Sequence, residues 1–252
     1  MDSTYLFLHA RCHPRDACFS YYSTTSSETT PDVGTEFCTN PLVKKISFTG
    51  STKVGKLLMR LSSDTVKRLS LELGGNAPFV VFADADLDQA VDAAMASKFR
   101  NAGQTCVCAD RFLVEAAIHD DFCEKLIERV KALKNNVGSG RDKGVQMGPL
   151  ISATAVENVH AKVLQAIQEG AECEVGGNPR TDLGTHFYEP TVLTHVSPSS
   201  DIWKTETFGP VVPIIRFETE EEALRLANDS DAGLSSYFCT NDLSRAFRFS
   251  RR

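Results

Sequence analysis

No apolar run in this chain of 252 residues approaches the roughly 20 residues needed to cross a bilayer, which excludes a membrane-spanning helix. Positive charge is also scarce. The 27 Lys and Arg are outnumbered by 33 Asp and Glu, for a net charge of -6, so neither nucleic acid nor an anionic membrane is an expected partner. Eight cysteines are present, but paired Cys-x-x-Cys sets are absent and no histidine pair stands at zinc spacing, so no metal site is expected. A chain long enough for a sizeable core needs no disulfide framework, and Cys123, Cys173 and Cys239 are expected to be reduced. Met1 to Thr30 has no sustained hydrophobic period, and residues 1–29 are expected to be a disordered extension. Arg11 and Arg15 hint at a transit peptide, but Asp2, Asp16 and Glu28 run against one.

From Pro41 onward the text becomes periodic. Lys44 to Thr49 reads as a strand and Thr52 to Leu61 as a helix. Ser70 to Leu73 is a short extended piece, and Ala77 to Phe82 is a buried strand. Asp86 is placed to cap a helix whose apolar face is Leu87, Ala90, Val91, Ala94 and Met95. Phe112 to Val114 reads as a strand, followed by a helix with Ile118, Phe122, Leu126, Val130 and Leu133 in register. Ala153 to Glu169 reads as a helix stopped at Gly170. Glu172 to Val175, Val211 to Phe217 and Leu234 to Cys239 read as strands, with a helix over Glu220 to Asn228. This alternation predicts an α/β fold with a largely parallel sheet.

Four segments carry residue types suited to chemistry. In Phe48-Thr49-Gly50-Ser51-Thr52-Lys53-Val54-Gly55 a strand runs into a helix start, where free N–H groups suit a pyrophosphate. In Leu71-Glu72-Leu73-Gly74-Gly75-Asn76 a lone carboxylate sits between leucines, a setting that raises a pKa towards that of a general base; a solvent-facing Glu is the alternative. Phe99-Arg100-Asn101-Ala102-Gly103-Gln104-Thr105-Cys106-Val107-Cys108 is a Gly-containing loop presenting a thiol, either a nucleophile or a structural cysteine. In Glu206-Thr207-Phe208-Gly209-Pro210 the carboxylate suits ribose hydroxyls and the phenyl suits a flat ring, unless both only anchor a loop.

In this order and spacing the four segments resemble the aldehyde dehydrogenase superfamily from about Thr30 to Arg252, and within it the succinate-semialdehyde dehydrogenases. The resemblance implies a partial Rossmann-like cofactor-binding segment (30–73) followed by an α/β catalytic domain (74–252). It implies Cys106 as the nucleophile, Glu72 as the base that activates water, and the N–H of Cys106 as an oxyanion donor. The cofactor, NAD or possibly NADP in such enzymes, is held by Gly50, Ser51, Gly55 and Leu73, and its nicotinamide riboside by Glu206 and Phe208. Arg100 corresponds to an arginine that grips the far carboxylate of a small aldehyde, a match for a guanidinium fork. Cys108 matches a second cysteine that the subfamily often carries, and a Cys106–Cys108 disulfide would shut off the nucleophile as a redox switch. Another aldehyde, such as glutarate semialdehyde, is the alternative substrate, and a catalytically impaired fragment the alternative role.

The resemblance covers roughly half of a family subunit. A Pro-Trp-Asn segment, whose Asn helps to hold the oxyanion, is not found, since the lone tryptophan is Trp203. The upstream lysine for the adenosine ribose and the terminal segment of the family's homo-oligomers are likewise not found. The expectation is therefore weak cofactor binding and slow turnover. The resemblance points to mitochondria, with the cytoplasm as the alternative.

Overall fold

In the computed structural model the apolar run Ala77–Val81 (β5) is buried at every position, as a strand covered on both faces must be. The structure describes residues 5–13, 16–23 and 30–252, the first two stretches as backbone only. It divides into two units, Met1–Gly74 and Gly75–Arg252.

In the first unit Tyr5–His13 (β1) and Asp16–Ser23 (β2) pair antiparallel. The sequence reading expected no element there. Tyr and Phe are frequent in both stretches, and aromatic residues favour strands. The rest of the expected extension, residues 1–4, 14–15 and 24–29, lies outside the described residues. Thr30–Thr39 (α1) follows, a helix that the sequence reading did not assign. Lys45–Thr49 (β3), Thr52–Ser62 (α2) and Arg68–Glu72 (β4) then form a βαβ unit whose strands pair in parallel, Thr49 opposite Glu72. Ile46, Phe48 and Leu58 form the core of this unit with Cys38 and Val43.

The second unit is built on one six-stranded sheet. Its elements after β5 are Leu87–Phe99 (α3), Ala109–Glu115 (β6), His119–Lys134 (α4), Ala153–Gln168 (α5), Glu172–Val175 (β7) and Thr191–Thr194 (β8). Asp201–Lys204 (α6), Val211–Phe217 (β9), Glu220–Asn228 (α7), Tyr237–Cys239 (β10) and Leu243–Phe249 (α8) complete it. The strand order is β10-β5-β6-β9-β8-β7, parallel throughout except for the edge strand β7. Helix α4 packs on β6, β7 and β8, and α7 on β5 and β6. Asp86 caps α3 by accepting from the Gln89 N–H at 3.0 Å, as its position predicts. The end of α5 is closed by Ala171 N–H on Ala166 O (2.9 Å) and Gly170 N–H on Ile167 O (3.1 Å).

This unit departs from the sequence expectation at β6, β10, β8 and α6. β6 starts at Ala109 rather than Phe112, because Asp110 and Arg111 are buried in it with their charges satisfied. β10 covers only Tyr237–Cys239. The short elements β8 and α6 lacked a period long enough to detect.

Candidate active site

Parallel neighbours run the same way, so the loops entering β5, β6 and β9 emerge at one edge of the sheet, the N-terminal ends of its strands. Those loops are residues 75–76, 100–108 and 205–210, which belong to three of the four segments singled out in the sequence.

The middle loop is folded against its own propensity. Directly after α3, Asn101 (φ 51°), Ala102 (φ 54°) and Gly103 (φ 77°) occupy the left-handed region in succession. An L-residue held there costs roughly 1–2 kcal/mol. Local bonds over-determine the loop. Asn101 Nδ2 donates to Gln104 O (3.1 Å), Gln104 Nε2 to Asn101 O (3.0 Å), and Ile151 N–H to Gln104 Oε1 (2.8 Å). The Tyr237 hydroxyl at the start of β10 donates to Val107 O at 2.6 Å. Cys106 is half-buried and unpaired in this braced turn. Cys108 is also unpaired, and its buried thiol lies 2.8 Å from the Thr105 hydroxyl and 3.7 Å from Lys98 O.

Two glycines fasten the three loops together. A Cβ on Gly75 would overlap the backbone carbonyl of Cys106, and a Cβ on Gly103 would overlap the carbonyl of Gly209. Gly75 also donates its N–H to Glu206 Oε1 at 3.2 Å. Backbone meets backbone at both contacts, so no side chain fits. Burial pushes the Glu206 carboxyl above its ordinary pKa, opposed by the Gly75 N–H. Phe208 is exposed and also left-handed, with φ 49°.

Behind the loops lie charges that the sequence reading did not single out. Lys98 and Asp110 form an ion pair at 2.6 Å, with side chains 0% and 4% exposed. Arg111 is buried and makes no ion pair with a carboxylate among the described residues. Its guanidinium donates to Asn76 O (2.9 Å) and to Leu226 O and Ala227 O at the end of α7 (both 2.8 Å), where carbonyls carry the negative end of the helix dipole. The signal for both residues was two adjacent charges, Asp110-Arg111, opening an apolar run. Lys98→Met would leave Asp110 buried and alone, and is expected to cost about 3–5 kcal/mol. The Lys98→Met/Asp110→Leu double variant should recover most of that in urea denaturation. A single variant with the parent's midpoint would contradict this account.

The remaining sequence candidates are distributed as follows. Arg100 is exposed, and its guanidinium makes no ion pair among the described residues. In the first unit Ser51 caps α2, its Oγ accepting the Val54 N–H at 3.4 Å, and among the described residues the earlier N–H groups of that turn have no acceptor. Gly50 donates to Glu72 O at 3.0 Å, and the Cα of Gly55 faces the Leu73 side chain. The Glu72 side chain is exposed at the end of β4. Glu72 and Cys106 belong to different units.

A family model described as the aldehyde dehydrogenase family matches residues 25–252. The chain belongs to the aldehyde dehydrogenase family. A probable succinate-semialdehyde dehydrogenase [NADP(+)] of Sinorhizobium fredii is 51% identical over 216 residues, 86% of this chain and 43% of that protein. The mitochondrial succinate-semialdehyde dehydrogenase of Homo sapiens is 50% identical over 224 residues, 88% of this chain and 41% of that protein. The crystal structure of succinate-semialdehyde dehydrogenase from Burkholderia pseudomallei superposes with a TM-score of 0.86 at 51% identity, covering 88% of this chain and 45% of that one. The chain thus spans less than half the length of the relatives it matches. As in these aldehyde dehydrogenases, the fold is α/β with a parallel sheet.

Proposed function

We propose that the protein oxidises a small aldehyde bearing a carboxylate, succinate semialdehyde foremost, with NAD or NADP. One observation supports the reading most: Gly75 is in contact with the Cys106 carbonyl and bonded to the Glu206 carboxylate, so the loop presenting a thiol and the loop presenting an acid and a phenyl share one backbone hub.

The residues fit a dinucleotide. The first turn of α2 keeps unspent N–H groups beside Gly50 and Ser51 for phosphate, with Gly55 packed on Leu73 behind them. Glu206 and exposed Phe208 offer a carboxylate for ribose hydroxyls and a face for the nicotinamide. When bound, the nicotinamide accepts a hydride. The Cys106 thiolate attacks the carbonyl carbon to give a thiohemiacetal, and the N–H of Cys106 donates to the developing oxyanion. Loss of hydride leaves a thioester on Sγ. Glu72 takes a proton from the water that hydrolyses it, freeing the acid and the thiol. Arg100, with no acidic partner among the described residues, holds the far carboxylate of the substrate.

Cys106 and Cys108 are proposed to form a disulfide on oxidation, which requires the Cys108 thiol to leave Thr105. The human relative is named as mitochondrial, and that supports a mitochondrial location here.

Arg100→Gln is expected to raise KM for succinate semialdehyde about 10–100-fold, the worth of a charge-assisted hydrogen bond, and to leave KM for propanal unchanged. Equal losses on both aldehydes would show that Arg100 does not select the carboxylate. Absence of aldehyde-dependent NADH or NADPH formation by the unsubstituted protein would overturn the reading itself.

A further inference from the structure

The strip that runs from α6 to β9 carries both Glu206 and Phe208, and beside its contacts with Gly75 and Gly103 it is held by one face of α5. Lys162 Nζ donates to Glu206 O at 2.8 Å, to Thr205 O at 3.2 Å and to the Thr205 hydroxyl at 2.5 Å, and stands 3.6 Å from Asp201 Oδ2. All of these partners lie between residues 201 and 206. The Thr205 hydroxyl in turn donates to Asp201 O at 3.0 Å, tying the strip to the start of α6. One turn earlier on α5, and so on the same face, Val159 abuts Gly209: a Cβ at 209 would lie 2.5 Å from Val159 Cγ2. The ammonium grips the strip just before Thr207 and the valine blocks it just after Phe208. Between these two fixed points Phe208 holds φ 49° and Glu206 keeps its carboxylate on the Gly75 N–H.

We propose that Lys162 is a positioning residue for the cofactor: through the Thr205 and Glu206 backbone it sets the Glu206 carboxylate and the Phe208 ring at the places where the nicotinamide riboside docks. This rests on the dehydrogenase reading above. A lysine suits the task, because a compact ammonium offers three donors that spread over the carbonyls and hydroxyl of one short strip. Methionine at 162 keeps the stem and removes the donors. Arginine keeps charge and donors at a similar reach.

The test is titration of the whole protein with NADH and NADPH, read by quenching of its single tryptophan, Trp203, alongside the thermal midpoint. Lys162→Met is expected to weaken binding of the preferred cofactor about 10-fold or more, since charge-assisted hydrogen bonds are lost, whereas Lys162→Arg should stay within about threefold of the parent. Binding by Lys162→Met within about twofold of the parent, or Lys162→Arg as weak as Lys162→Met, would overturn the proposal. If Lys162→Met does not fold, Thr205→Val removes the hydroxyl with its contacts to Lys162 and Asp201, and keeps the bonds of Lys162 to the Thr205 and Glu206 carbonyls. Looser cofactor binding at an unchanged midpoint then supports the proposal, and unchanged binding overturns it. Parent protein that shows no saturable quenching removes the dehydrogenase reading and this inference with it. Saturable quenching in the parent that is unaltered in the variants removes this inference alone.

Discussion

A Cys106→Ser variant is expected to keep the parent's thermal midpoint and to lose aldehyde-dependent reduction of the cofactor by about 10⁴-fold or more, the scale seen when a nucleophile is removed from a working set. The exchange changes one atom of a half-buried side chain that makes no hydrogen bond among the described residues, so folding has little to lose. Chemistry has much to lose. A hydroxyl ionises far less readily than a thiol, and an oxygen ester resists hydrolysis more than a thioester does. Iodoacetamide labelling gives a second readout, independent of turnover. Burial pushes the Cys123 thiol up to about 12 and the Cys239 thiol to about 11, so their thiolate fractions near pH 8 are on the order of 10⁻⁴ and 10⁻³. Cys38 and Cys108 are buried. Peptide mapping of the parent should therefore find modification at 106 ahead of these four. Full activity in the serine variant, or mapping that finds Cys123 alkylated before Cys106, would disprove the assignment.

Gly75→Ala should do more damage than its size suggests. The added methyl would sit inside the Cys106 carbonyl, and neither backbone has a flexible end to swing away. Overpacking of this kind costs about 1–3 kcal/mol, which in a chain of this length lowers the thermal midpoint by roughly 2–12 °C. Relaxation must displace the Cys106 backbone, the Gly75–Glu206 bond, or both. A misplacement of about 1 Å at a reacting centre can cost about 10²-fold in rate, so kcat/KM should fall at least that far. Gly148→Ala is the control, because a Cβ there meets nothing within 4 Å. If Gly75→Ala behaves like Gly148→Ala in midpoint and rate, the glycine hub has no mechanical role.

The strongly periodic elements were legible from composition and spacing. Helices α3, α4, α5 and α7 and strands β5 and β9 bury long apolar stripes, and such stripes survive in sequence as a 3.6-residue period or a continuous run. β8 and α6 span too few residues to show a period. The first residues of β6 were missed for another reason. Asp110 and Arg111 read as a loop because charges are rarely buried, yet Lys98 from α3 and the carbonyls ending α7 receive them, and such partners are invisible along the chain. The candidate site divides the same way. Cys106, Glu206 and Phe208 stood out because their motifs are local. Lys162 did not, since on the sequence it is one more polar residue of an amphipathic helix and acquires meaning only from the strip packed against it. The site also lies at the N-terminal ends of β5, β6 and β9, whereas ligands of open α/β sheets usually gather at the carboxyl ends, so fold class alone would have directed the search to the opposite edge.

The backbone at residue 208 has a thermodynamic consequence. A phenylalanine outside its comfortable torsion range, with 42% of its surface wet, raises the free energy of the folded protein twice over, once through torsion and once through hydrated hydrocarbon. The first cost is met during folding and is not charged again when a planar guest arrives. The second would be offset by the proposed guest, which would expel the ordered solvent from the ring. On the proposal that Phe208 receives the nicotinamide, the position is preformed: the guest would not have to reorganise its host, and its residence there would owe more to water leaving than to protein moving.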